Sequence, residues 1–253
     1  MLTEHQKRRF VREGFLRVIN VVPKNIIRRA KKAINSSIGQ GIDPTKIAIF
    51  DGSSFCPELR EDPRIIQLAT NPPTWSKVAA LLGRGQALKP TNAQIALRSP
   101  VEEQLKPKKG SWHIDGHPTP TNGVKPDGQV RNFNLLLGVL ISDVPDSGYG
   151  NLTVWPGTHK DLGDYFSENP AFPPPYEKTS KELRFAIPPR RELTGKIGDI
   201  FLVHYNLGHA VMPNLSEDIR YMCFFRIAVK GLMNHREESL SNIWMDYRGI
   251  RAK

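Results

Sequence analysis

The chain has 253 residues, 39% of them hydrophobic and 24% charged, a balance that supports one sizeable core and excludes disordered, collagen-like and low-complexity architectures. The net charge of +11 raises a nucleic-acid or acidic-surface partner, but ten basic side chains against Glu4 and Glu13 put +8 of it in the first 32 residues. The excess is mostly the solvated face of N-terminal elements with no interleaved aromatic stacking pattern, so no nucleic-acid partner is expected.

Along the chain, Thr3-Glu4-His5-Gln6 has the form of a capping box opening a helix. Residues 14–22 are rich in β-branched side chains between Gly14 and Pro23 and read as a strand. Pro23 suits the first position of a helix whose Ile26, Ile27, Ala30, Ala33 and Ile34 share one face. A further helix is expected over residues 63–82. Beyond Ala93 short apolar runs at 94–97, 133–141, 152–154, 185–187, 200–203 and 221–229 alternate with Gly- and Pro-rich connectors. This predicts an α+β chain, mainly β, in which a closed or sandwiched β architecture lies behind a helical N-terminal part. Residues 165–191 carry six prolines and are too long for a hairpin turn, which leaves a lid or a solvent-exposed decoration. No run of eighteen apolar residues and no apolar signal core follow Met1, so neither a membrane span nor export is expected. Cys56 and Cys223 lack any paired spacing, which fits a reduced, cytoplasmic setting.

The chemistry-bearing residues cluster in two places. In Trp112-His113-Ile114-Asp115 an imidazole and a carboxylate stand two apart, and the period of a strand would turn both to one face. A second segment running from Gly195 ends in His209, which could supply a third metal ligand, with His204 as its competitor. Two histidines and one carboxylate leave positions open on a metal, the donor set of non-haem Fe(II) oxygenases. A zinc site is the alternative: His117 lies four after His113, but Gly116 and Pro118 oppose a helix there, and cysteine ligands are missing. Eleven residues after His209, Arg220 opens an apolar strand and favours His209 over His204. A guanidinium in that position can grip a carboxylate through two parallel hydrogen bonds, which points to a dicarboxylic co-substrate. His204 and His159 read more simply as a core and a turn residue, Trp112 and Trp155 as packing, Asp199 as a turn cap. Lys106, Lys108 and Lys109 stand just before His113 and either attract an acidic substrate or form a solvated loop.

These segments, in this order, resemble the phytanoyl-CoA dioxygenase family of Fe(II)- and 2-oxoglutarate-dependent oxygenases. The resemblance is carried by residues 10–16 with Val21-Val22-Pro23, by His113 and Asp115, by Gly150-Asn151-Leu152-Thr153-Val154-Trp155-Pro156-Gly157-Thr158-His159-Lys160, by Gly198-Asp199, and by His209, Asn214, Ser216 and Arg220. It implies a double-stranded β-helix, a cupin-like jelly roll with N-terminal helices packed on it, as one domain. Residues 1–90 would form the helical and strand N-terminal part, 91–230 the β-helix core and 231–253 a C-terminal extension. It further implies that His113, Asp115 and His209 hold Fe(II), that Arg220 binds 2-oxoglutarate, and that Gln94 and Asn134 stand at co-substrate positions. The implied reaction consumes O2, with ascorbate as a possible reductant, and hydroxylates an aliphatic carbon of a small, possibly acidic or acyl-type molecule with release of succinate and CO2. A zinc-dependent hydrolase and a non-catalytic binding protein on the same scaffold remain as alternatives. Some relatives carry a small hydroxyl residue two positions after the distal histidine; here Val211 stands there.

Overall fold

The computed structural model describes residues 1–101, 112–116, 122–125, 127, 129–169 and 186–250. Lys106, Lys108, Lys109, His117 and the proline-rich stretch 170–185 lie outside them.

The capping box forms as predicted. Thr3 Oγ1 accepts the Gln6 N–H at 3.2 Å and Gln6 Oε1 accepts the Thr3 N–H at 2.9 Å, opening α1 (Glu4–Glu13). Gly14 ends it in the left-handed region (φ 79), and a Cβ there would lie 2.5 Å from the His159 ring, so only glycine can make this turn. The strand that follows, β1 (Phe15–Val18), is shorter than 14–22, because Asn20 turns the chain (φ 50) and donates its N–H to Asp199. In α2 (Lys24–Ile38) all five predicted apolar side chains are buried, with Pro23 as the cap residue rather than the first helical one. A short helix, α3 (Ile47–Gly52), follows. The helix expected over 63–82 is two, α4 (Pro63–Thr70) and α5 (Pro72–Leu82). Pro72 has no N–H to continue α4, and Asn71 caps α5 by accepting the Thr74 N–H at 3.1 Å.

The remaining elements are β2 (Gln94–Arg98), β3 (Leu135–Leu140), β4 (Leu152–Val154), α6 (Thr158–Glu168), β5 (Arg191–Glu192), β6 (Ile200–His204), β7 (His209–Val211), β8 (Arg220–Ile227) and α7 (Glu238–Ser241). Of the expected apolar runs, 185–187 is not a strand in its described part; β5 follows it instead. All strand pairings are antiparallel, in a five-stranded sheet ordered β1-β6-β3-β8-β2 and a three-stranded sheet ordered β5-β4-β7. Alternation along the strands makes two cores. Leu135, Leu137, Val139, Tyr221, Cys223 and Phe225 join the helix residues of α2, α4 and α5. Their neighbours Leu136, Leu140, Phe201, Val203, Met222 and Phe224 pack with Leu152, Val154 and Ala210 of the smaller sheet. The architecture is the expected double-stranded β-helix with a helical layer on its outer face. Among the described residues no helix is long and apolar enough to cross a membrane.

An aromatic cluster of Phe10, His159, His204, Trp244 and Tyr247 ties α1, α6 and β6 to the C-terminal segment. His204 stacks on Tyr247 (centroids 5.0 Å apart, 15° between planes), donates from Nε2 to the Ile243 carbonyl at 3.0 Å and accepts the Asn206 N–H on Nδ1 at 3.0 Å. It is the hydrogen-bonded core histidine that its apolar surroundings suggest. His159 corrects the expectation of a turn residue: it is the second residue of α6, fully buried, with Nε2 3.1 Å from the Val11 carbonyl. Cys56 and Cys223 are free and buried.

Burial lowers the His204 pKa from 6.5 to about 4. The unfolded chain therefore takes up a proton below about pH 6.5 that the folded chain refuses until about pH 4. Stability should fall with pH across that window, by up to about 1.4 kcal/mol per pH unit for this one group. His159, lowered first by burial and then by His204, acts in the same direction. Urea unfolding at several pH values should show a flatter acid limb for His204→Gln than for the unmodified chain, and equal slopes would contradict this account.

Candidate metal centre

His113 and His209 face each other across the edge of the smaller sheet. Each donates its N–H to the other's carbonyl at 2.9 Å, a hydrogen-bonded antiparallel pair whose side chains leave the same face. Their ring centroids are 4.6 Å apart. His209 Nδ1 lies 3.0 Å from the Leu207 carbonyl and donates to it, which leaves the Nε2 lone pair free for a metal.

Asp115 reaches the same point by another route than the sequence suggests. Only His113 is bridged to a strand; Asp115 stands in a turn leading into Gly116 (φ 93), where a Cβ would meet the Arg131 carbonyl at 2.9 Å. The Tyr205 hydroxyl donates to the Asp115 carbonyl at 2.8 Å and fixes that turn. Asp115 Oδ1 then lies 3.7 Å from His113 Nε2 and 3.5 Å from His209 Nε2. Metal–ligand bonds of about 2.0–2.2 Å let one ion serve donors up to roughly 4.4 Å apart, and both distances fall inside that limit. Among the described residues these three form a group able to hold a metal ion.

The other carboxylate oxygen is occupied. Asp115 Oδ2 accepts from Arg226 Nε and Nη2, both at 2.8 Å, and Nη2 also donates to Gln94 Oε1 at 3.0 Å. Burial alone would raise the Asp115 pKa, but the charge of Arg226, followed by the facing His209 and His113 rings, outweighs it and holds the carboxyl far below its usual range. It is ionised and ready to bind a cation.

Arg220 begins β8, three side chains along the inner face from Arg226, with Met222 and Phe224 between them. It is 3% exposed. Nε donates to the Gly150 carbonyl at 2.9 Å and Nη1 to the Ala96 carbonyl at 3.0 Å, while Nη2 is buried without a partner among the described residues. Burial, reinforced by Arg98, pushes its pKa down to about 9, so the group remains a cation at neutral pH. The motif residues Asn214 and Ser216 place it. Asn214 Oδ1 accepts the Ser216 N–H (3.2 Å) and hydroxyl (2.7 Å), and its Nδ2 donates to the Arg98 and Asp218 carbonyls at 2.9 and 2.6 Å. This knot closes the loop from β7 to β8. Val211, opposite Leu152, offers no hydroxyl in its support.

Of the two other co-substrate positions, Gln94 stands beside the centre through Arg226. The Asn134 side chain is held instead by the Val229 N–H (2.8 Å) and by Asp246 (2.7 Å), and does not join the Arg226 group. His204, at the aromatic cluster, is likewise separate from the triad. Asp199 caps its turn by accepting the Lys196 N–H at 2.9 Å and pairs with Arg17 at 2.7 Å. Trp112 and Trp155 are buried packing residues. Arg226 is the residue that sequence reading misses. Its signal was present: a cation in phase with the inward-facing Met222 and Phe224 of an otherwise apolar strand.

No family model matches the chain, and no curated protein matches it. Solved structures do. SnoN, a non-haem α-ketoglutarate-dependent epimerase from nogalamycin biosynthesis, was solved with Fe3+, α-ketoglutarate and nogalamycin RO; it superposes with a TM-score of 0.60 at 16% identity, covering 89% of this chain and 82% of its own. AviO1 from Streptomyces viridochromogenes Tue57 gives a TM-score of 0.58 at 18% identity, over 91% of this chain and 98% of its own. HygX from Streptomyces hygroscopicus, solved with nickel, 2-oxoglutarate and hygromycin B, gives 0.57 at 15% identity, over 91% and 88%. At these identities the likeness establishes a common fold.

Titration calorimetry with Ni(II) should find one site per chain. Asp115→Ala and His209→Ala should each weaken it by more than the roughly 10–100-fold that changes behind the ligands cost, and full-affinity binding in either variant would exclude these ligands.

Proposed function

We propose that the chain is an Fe(II)- and 2-oxoglutarate-dependent oxygenase of the phytanoyl-CoA dioxygenase type that hydroxylates an aliphatic carbon of a small molecule, with release of succinate and CO2. Residues 1–253 act as one oxygenase domain, with 1–90 as its helical and strand part, 91–230 as its β-helix core and 231–253 as its C-terminal extension. The observation that carries this reading is Arg220, a buried guanidinium whose Nη2 has no hydrogen-bond partner and which joins none of the ion pairs among the described residues. An uncompensated buried charge costs several kcal/mol, and the far carboxylate of a keto-diacid is the ligand that would offset it.

Iron bound with its co-substrate and O2 supplies the oxidising chemistry; the protein supplies position. His113, Asp115 Oδ1 and His209 Nε2 would hold the ion from one side, and three protein donors leave positions for the keto-acid end and for O2. Asp115 occupies the place that a halide would need, which favours hydroxylation over halogenation. Gln94, bonded to Arg226, stands beside the carboxylate ligand. Met222, Phe224, Leu136 and Val203 make the inner face apolar, which excludes water from the reacting centre. The ligands of SnoN and HygX, a metal, the keto-acid and an antibiotic-sized molecule, support a small-molecule substrate.

Purified protein supplied with Fe(II), ascorbate and O2 should convert 2-oxoglutarate to succinate slowly without added substrate. His209→Ala and Asp115→Ala should abolish the turnover. Arg220→Ala should keep Ni(II) binding but weaken 2-oxoglutarate by roughly 10–150-fold, the equivalent of about 1.5–3 kcal/mol for a hydrogen bond to a charged group. Unchanged succinate formation in all three variants would contradict the assignment. Hydrolytic turnover that persists without O2 would instead identify a zinc-dependent hydrolase.

A further inference from the structure

We propose that Arg226 is a positioning residue for the metal centre: it holds Asp115 by Oδ2 alone, so that Oδ1 is the single carboxylate oxygen presented beside the two imidazoles. The inference rests on the metal-centre reading above and adds a residue that the ligand motif does not contain.

The geometry divides the carboxylate into two halves. Both Arg226 bonds, from Nε and Nη2, end on Oδ2 at 2.8 Å, whereas Oδ1 is the oxygen 3.7 and 3.5 Å from the histidine Nε2 atoms. Two donors on one acceptor fix the plane of the carboxylate as well as its distance. The guanidinium is itself fixed from two further sides, by Gln94 Oε1 at 3.0 Å on the neighbouring strand and by the Phe133 ring 5.8 Å from its central carbon. Asp115 needs such an anchor because it stands in a turn, outside any strand ladder.

Stability is a poor explanation for this pair. The Arg226 side chain is 43% exposed while Asp115 is 13% exposed, and an ion pair with one end so open to water adds little to the fold. Simple charge is a poor explanation too, because a cation beside a divalent ion repels it. If Arg226 were only a neighbouring charge, its removal would tighten metal binding. If it positions Asp115, its removal should loosen binding. The two accounts differ in sign.

Lysine separates them further, since it keeps the charge but lacks the planar fork that reaches Oδ2 twice and Gln94 once. The experiment titrates Co(II), followed by its visible d–d bands, into the unmodified protein, Arg226→Gln and Arg226→Lys without co-substrate, after thermal melting has established an intact fold. Arg226→Gln is expected to weaken Co(II) binding by about 10–100-fold, the usual cost of losing a group that orients a ligand. Its band intensities should also change, because Asp115 is then free to offer both oxygens or neither. Arg226→Lys should restore neither the affinity nor the bands. Tighter or equal affinity in Arg226→Gln with unaltered bands, or full rescue by Arg226→Lys, would overturn the proposal while leaving the metal centre standing. Failure of the unmodified protein to take up Co(II) would overturn both. If Arg226→Gln does not fold, Arg226→Lys decides alone: weakened binding supports the positioning role and full affinity refutes it.

Discussion

A guanidinium that is almost wholly removed from water and joins no ion pair among the described residues is the constraint around which this molecule is organised. Arg220 gives two of its donors to the Gly150 and Ala96 carbonyls, one just before β4 of the smaller sheet and the other on β2 of the larger. Its position is set by the Asn214 knot before β8, and Asn214 in turn holds the Arg98 carbonyl on β2. The charge is thus built in by backbone bonds from several elements, which secure the side chain without neutralising it. A protein tolerates such a residue when an anion arrives to complete it.

The same strand carries the second cation. Arg220 and Arg226 are separated by about 20 Å of extended backbone, with Met222 and Phe224 as an apolar interval between them. One end therefore offers a guanidinium with no ion-pair partner among the described residues and the other a guanidinium committed to Asp115. The smaller sheet closes over this interval and brings His209 opposite Val154 in register. The site is accordingly made where one strand of the five-stranded sheet, the edge of the three-stranded sheet and a single turn at Asp115 converge. None of the three elements could supply it alone.

How much of this was legible in the sequence differs by element. The capping box, the buried face of α2 and most of the strands followed from patterns that act over a few residues, and they appear where the sequence puts them. The split of the 63–82 helix was readable from Pro72 and Pro73 but yields to a helical period that runs through both halves. The three candidate ligands were legible because their spacing is short or fixed by the strand leading to His209. For His113 and Asp115 the spacing predicts a strand, and a bridge at His113 followed by a Gly116 turn achieves the same convergence. Asn134 and Arg226 show where local reading ends. Their partners are 95 to 112 residues away for Asn134 and 111 and 132 away for Arg226, and a pairing at that distance is a property of the folded chain. His159 was misplaced because Pro-Gly-Thr reads as a turn, whereas here it is the turn that starts α6.

The central claim is that the three ligands and Arg220 together receive a metal-chelating keto-diacid. It is tested most directly by adding 2-oxoglutarate to the anaerobic Fe(II)-loaded protein and recording its visible spectrum. The account predicts a charge-transfer band from the chelated keto acid, present in the unmodified protein and lost from Arg220→Ala at the same co-substrate concentration. Fe(II) bound at full occupancy with no such band at saturating 2-oxoglutarate would contradict it.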